Sequence, residues 1–204
     1  MTDPQDAPQI YLLTPPSFSL ADFCPRLETV LDGVDIACLR LAMATQDEDE
    51  LTRAADALRT ICDPRDVPLV VAEHVGLVKK LALDGVHLSG TRGLREARDE
   101  LGGDAIVGCY CGTSRHDGLI AGEAGADYVS FGPVGAPGAL GNGEQAGTEL
   151  FQWWAQMIEV PLVAEGHLGP EAVATVAPFA DFLAIGPEIW REDDALAALK
   201  VLTA

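Results

Sequence analysis

The chain has no apolar run near the ~20 residues that a membrane-spanning helix needs. Basic side chains are scarce: 13 Lys and Arg stand against 32 Asp and Glu, giving a net charge of −19. Phosphate polymers and anionic bilayers are held mainly by clustered Lys and Arg, so neither nucleic acid nor a membrane is expected as a partner. The acidic surface reads as a solubilising shell. The five cysteines, at positions 24, 38, 62, 109 and 111, are odd in number and include no Cys-x-x-Cys pair. That pattern argues against a disulfide framework or a thiolate metal site, and the cysteines read as small core residues. Residues 1–8 carry two aspartates and lack the basic and apolar regions of a signal peptide. They read as a flexible leader, and a cytoplasmic location is expected.

What is present is a repeat. An aspartate opens a short apolar run at Asp35, Asp84, Asp127 and Asp181, at intervals of 49, 43 and 54 residues. Each interval is about twice the length of one strand plus one helix, so a second, differently worded strand is expected inside it. The runs at 10–13, 68–72, 105–109 and 161–164 supply these, apolar on nearly every residue as strands buried on both faces are. Helical spacing or capping residues mark 20–31, 47–58, 75–83, 94–101, 114–125, 149–158, 170–176 and 193–202. Eight strand-helix units in 204 residues, 48% of them hydrophobic, predict one α/β domain over 1–204, a (β/α)8 TIM barrel.

In such a barrel chemistry belongs at the carboxyl ends of the strands. The repeated aspartates begin their strands, so they are expected to bind turn amides and to take no part in chemistry. The residues at the other rim are Arg40, Glu73, His74, His87, Tyr110, Cys111, Gly132, Pro133, Glu165, Gly166, His167, Gly186 and Pro187. Strands three and seven both end in glutamate and histidine: Val67-Pro-Leu-Val-Val-Ala-Glu-His74 and Val160-Pro-Leu-Val-Ala-Glu-Gly-His167. Two carboxylates and two imidazoles around one mouth would suit acid-base work or a divalent metal. The glutamates are offset by one residue, however, and side chains alternate faces, so only one of them is expected to point inward. Ordinary polar rim residues are the alternative. Residues 133–147, rich in glycine, are expected to form a mobile loop after strand six, and the sequence does not set whether it closes over a substrate as a lid.

The wording of several strands, above all Gly125-Ala-Asp-Tyr-Val-Ser-Phe-Gly-Pro-Val134 with Leu83-Asp-Gly-Val-His-Leu88 and Val160-Pro-Leu-Val-Ala164, resembles the thiamine phosphate synthase family. The resemblance runs from about residue 10 to residue 202. It implies a barrel that joins hydroxymethylpyrimidine diphosphate to hydroxyethylthiazole phosphate, releasing pyrophosphate with magnesium present. At the positions of the family's site the catalytic candidates are Arg40, Glu73 and His167, and the candidates for substrate contact are His87, Arg92, Tyr110, Gly132, Glu165, Gly166 and Gly186, with Glu73 the candidate metal ligand. Arg40 is expected to hold phosphate and to matter little for stability.

Several positions depart from the family pattern. Ala42 stands where the strand-two lysine is found, Ala72-Glu73 replaces Asn-Asp, and Arg92 replaces the second magnesium aspartate. Tyr110 stands for a serine, the Thr-x-Thr-Lys of the strand-six loop is missing, and Gly166-His167 replaces Gly-Gly. Three outcomes follow from this pattern: a transferase with rebuilt cation sites, a barrel that binds or isomerises another small phosphorylated metabolite, and a noncatalytic regulatory barrel. The related tautomerases place a histidine where this chain has Pro133, which has no titratable group. The transferase is the reading adopted. The sequence sets neither the oligomeric state nor the presence of the metal.

Overall fold

The computed structural model describes residues 7–135 and 144–204. Eight parallel strands close into a barrel in sequential order. They are β1 (Gln9–Leu13), β2 (Ile36–Leu41), β3 (Leu69–Ala72), β4 (Gly85–Leu88), β5 (Ile106–Tyr110), β6 (Tyr128–Phe131), β7 (Leu162–Glu165) and β8 (Phe182–Ile185). Between them run α1 (Leu20–Gly33), α2 (Glu48–Cys62), α3 (Val75–Leu81), α4 (Leu94–Leu101), α5 (Arg115–Glu123), α6 (Thr148–Met157) and α7 (Pro170–Val176). After β8 come α8 (Pro187–Trp190) and α9 (Ala195–Leu202). The (β/α)8 barrel expected from the repeat is therefore present. The additional turn α8 was not expected, because four residues are too few to show a helical period. No helix of the described residues is long and apolar enough to cross a membrane.

The helices begin where the sequence supplies caps. Asp47 Oδ1 accepts the amides of Asp49 and Glu50 at 2.9 and 3.2 Å, and Ser114 Oγ accepts that of Asp117 at 3.1 Å. The repeated aspartates do the same for strands. Asp84 Oδ2 accepts the Leu69 amide at 2.7 Å, Asp127 Oδ2 that of Val107 at 2.7 Å, and Asp181 Oδ2 that of Leu162 at 2.8 Å. Each carboxylate thus fixes the first residues of the neighbouring odd-numbered strand, at the rim away from the chemistry. Asp35 makes no such bond among the described residues.

Alternation along the strands divides the core in two. Leu12, Leu39, Val71, Val86, Val107, Phe131 and Ile185 face the helices, where Phe151 and Trp154 pack against them. Tyr11, Leu13, Cys38, Val70, Tyr128, Val163 and Ala184 fill the barrel interior. The cysteines at 38, 62, 109 and 111 are all buried and free, as small core residues are. The loop expected after β6 lies largely in residues 136–143, outside the described residues.

Candidate active site

The interior layer is more polar than its apolar strands suggest. Arg40, 5% exposed, and Glu165, 3% exposed, form a two-armed ion pair inside the barrel. One arm joins Nη1 to Oε2 at 3.3 Å, and a second joins Nη2 to Oε1. The guanidinium carbon also lies 5.6 Å from the centre of the Tyr11 ring. Burial works against charge on Arg40, but the neighbouring Glu165 and the tyrosines more than reverse this and push its pKa up. Its Nε has no partner. Arg40 thus lies near the carboxyl end of β2, as expected, and its side chain turns into the lumen, where it pairs with Glu165 and lines the cavity described below.

A hydrogen-bonded line runs beside that pair. The Tyr11 and Tyr128 hydroxyls are 2.6 Å apart, and the Tyr128 hydroxyl is 2.9 Å from His87 Nδ1. Burial, and after it the charge of Arg40, hold the His87 pKa well below its usual value, so the ring is neutral. Burial likewise raises both tyrosines. Ser130 Oγ is fully buried with no partner among the described residues. Tyr110, half-buried, donates its hydroxyl to the Gly132 carbonyl at 2.7 Å. Burial and then Glu165 push its pKa to about 12. Gly132 is bare for a reason: a Cβ there would lie 2.1 Å from the Glu165 carbonyl oxygen.

The paired Glu-His endings do not converge. Glu165 points inward, while Glu73 lies exposed at the rim, where it accepts the Ser89 amide. His74 precedes α3, and His167 is exposed. The one-residue offset decides the matter, and among the described residues no three His, Cys, Asp or Glu side chains gather as a metal site would. Glu73 and His167 are non-glycine rim residues held at positive φ, 65° and 55°. Magnesium is bound through one or two carboxylates together with substrate phosphates. Glu73 already uses one oxygen on Ser89, and exposed Arg92 brings a cation where a second carboxylate is implied. These residues do not fit a two-carboxylate magnesium site.

The cavity these residues frame holds about 560 Å³ at the carboxyl ends of β1, β2, β7 and β8. It is lined by Thr14, Arg40, Glu165, Gly166, His167 and Glu188, with Arg191 and apolar residues including Leu13, Ala42 and Ala184. A larger groove of about 840 Å³ shares His167, Glu188 and Arg191 but runs outward along α9. The smaller cavity is the candidate site, since it reaches the strand ends and the buried Arg40 and Glu165. Glu188 bridges its two sides. One oxygen accepts the Leu168 amide at 3.1 Å and the other that of Gly186 at 2.9 Å. The structure thus brings Arg40, Glu165, Gly166 and His167 to one cavity, with Gly186 bonded to its wall through Glu188. Arg92 lies apart, in the turn after β4. Sequence reasoning missed Tyr11, Tyr128, Ser130, Glu188 and Arg191. A hydroxyl every second residue along Tyr128-Val-Ser130 was the one available signal for an interior polar face.

The fold and this cavity define a small-ligand (β/α)8 barrel with its site at the carboxyl ends of the strands. A model of the thiamine monophosphate synthase family matches residues 10–187, and the chain belongs to that family. It is 38% identical to the thiamine-phosphate synthase of Rhodospirillum centenum, covering 93% of each chain. It is also 38% identical to that of Erythrobacter litoralis, over 97% of this chain and 95% of the relative. Among solved structures, thiamine phosphate pyrophosphorylase from Pyrococcus furiosus superposes with a TM-score of 0.81 at 20% identity, over 96% of this chain and 95% of that one. (S)-3-O-geranylgeranylglyceryl phosphate synthase from Thermoplasma acidophilum shares the fold at a TM-score of 0.71 and 15% identity, over 96% and 92%.

Proposed function

We propose that this chain is a transferase of thiamine biosynthesis that joins hydroxymethylpyrimidine diphosphate to hydroxyethylthiazole phosphate and releases pyrophosphate. The observation that carries this reading is the match of residues 10–187 to the thiamine monophosphate synthase family. Its substrates are small and phosphorylated, and a cytoplasmic setting goes with it.

The chain's own residues supply particular parts of such a reaction. Arg40 gives the cavity a fixed positive charge, offset by Glu165, near which negative charge on a leaving pyrophosphate is stabilised. Gly166, at φ 92°, lets backbone come close to a ligand at the end of β7. Tyr110, bonded to the Gly132 carbonyl, and the neutral His87, bonded to Tyr128, hold the strand ends beside the cavity without adding charge. Apolar Leu13, Ala42 and Ala184 keep water from the reacting carbon.

One observation favours a second reading, a barrel that binds a phosphorylated metabolite without the transfer. Arg40 is taken by Glu165, and no lysine lines the cavity. Incubating the protein with both substrates and magnesium, and measuring thiamine phosphate, separates the two. Product supports the transferase; calorimetric binding of thiazole phosphate without product supports the second reading. Absence of both overturns the thiamine assignment.

A further inference from the structure

The loops after strands seven and eight are where barrels of this fold frequently seat a phosphate. In this chain each loop contributes one amide, Leu168 after β7 and Gly186 after β8, and a single carboxylate that lines the cavity answers both. Glu188 Oε1 accepts from Leu168 at 3.1 Å, and Oε2 from Gly186 at 2.9 Å. A carboxylate and a phosphate make the same demand on such amides, short charge-assisted bonds to two oxygens. In the same cavity Arg40, 5% exposed, spends two nitrogens on Glu165, while its Nε has no partner. The amide pair beside the cavity and the guanidinium that lines it are thus both met by carboxylates of the chain itself.

We propose that Glu188 is a specificity-determining placeholder, whose carboxylate holds the phosphate seat between the loops after β7 and β8 and leaves it when a phosphorylated substrate enters. The proposal rests on the transferase reading, in which thiazole phosphate is a substrate. Glu188 is the carboxylate able to move. Glu165 is 3% exposed and locked to Arg40 in the lumen, whereas Glu188 is half-buried on the short α8 and reaches back over Pro187. Arg191 stands three residues further on, exposed and lining the same cavity, at the spacing that lets it receive the displaced carboxylate. Unphosphorylated ligands have nothing to displace Glu188 with, so the exchange of one anion for another selects for phosphate.

Calorimetry on the wild type, Glu188→Gln and Glu188→Ala tests this, with hydroxyethylthiazole phosphate, its unphosphorylated alcohol and inorganic phosphate as probes. The expected result is about tenfold tighter binding of the phosphorylated probes by both variants, about 1.4 kcal/mol, with the alcohol unchanged. Unchanged or weaker phosphate binding in variants that keep the wild-type melting temperature would overturn the placeholder, since a purely structural bridge predicts loss. Should the variants fail to fold, a structure of the wild type with thiazole phosphate decides: Glu188 still bridging both amides overturns the proposal, and Glu188 turned out supports it. Thiamine phosphate synthesis by the wild type is assayed alongside. Its absence, with a gain of inorganic phosphate binding in the variants, sinks the substrate reading while supporting the placeholder.

Discussion

Arg40 and Glu165, 125 residues apart in the chain, meet inside the barrel as a two-armed ion pair with both side chains almost wholly out of water. Such a pair gives little net stability, because desolvation consumes what the attraction returns, but removing one partner strands a buried charge. Arg40→Ala and Glu165→Ala are each expected to cost about 3–5 kcal/mol. At this chain length that lowers the melting temperature by roughly 10 °C. Replacing both together, Arg40→Met with Glu165→Leu, should cost less than either single change. Urea unfolding of the three variants checks this, and single losses below about 1 kcal/mol would show that water reaches the pair.

His87 makes stability depend on pH. Its folded pKa lies well below its usual value of 6.5, so between the two values the unfolded chain binds a proton that the folded chain refuses. Stability is therefore full above pH 6.5 and falls as the pH drops through it, by up to about 1.4 kcal/mol per pH unit from this group alone. His87→Gln removes the titration. Between pH 7.5 and 5.5 the wild type should lose about 1.4 kcal/mol more than the variant in urea unfolding. Equal losses would place the His87 proton in the folded state.

The aspartates at the starts of strands should act on stability alone. Asp84→Ala and Asp181→Ala each remove an acceptor from one strand amide and are expected to cost about 1 kcal/mol. Asp127→Ala should cost more, because the same carboxylate also pairs with Arg98. Asp35→Ala should change little. Since these residues lie at the rim opposite the cavity, the affinity for thiazole phosphate should stay at the wild-type value in all four, as calorimetry would read.

These aspartates also mark how far the sequence could be read. The recurrence of Asp35, Asp84, Asp127 and Asp181 located the strands and identified their starting ends, because a repeated capping carboxylate is a local signal. The offset between Glu73 and Glu165 correctly separated an inward glutamate from an outward one, since alternation is local too. The partner of Glu165 was not legible. Pairing β2 with β7 through the lumen depends on barrel closure and register, which no short window contains. Glu188 was missed for a related reason: its role comes from two amides, Leu168 and Gly186, and amides look alike in every sequence.

Tyr128 and Gly108 test the interior packing most directly. The Tyr128 ring lies over the bare backbone of β5, and a Cβ added at Gly108 would stand 2.0 Å from Tyr128 Cζ. That ring cannot move aside freely, because its hydroxyl is held by Tyr11 at 2.6 Å and by His87 at 2.9 Å. Gly108→Ala is therefore expected to cost about 3 kcal/mol, the upper range for overpacking. Tyr128→Leu also destabilises, by opening space and leaving His87 and Tyr11 without their shared partner. In the double variant the added methyl occupies space the ring has vacated, so the two costs should fall short of their sum by about 1–3 kcal/mol. Tyr128→Phe keeps Cζ in place and should rescue nothing. Strict additivity in this cycle would mean that the ring does not rest on β5, and with it the placement of Tyr128 between Tyr11 and His87 would fail.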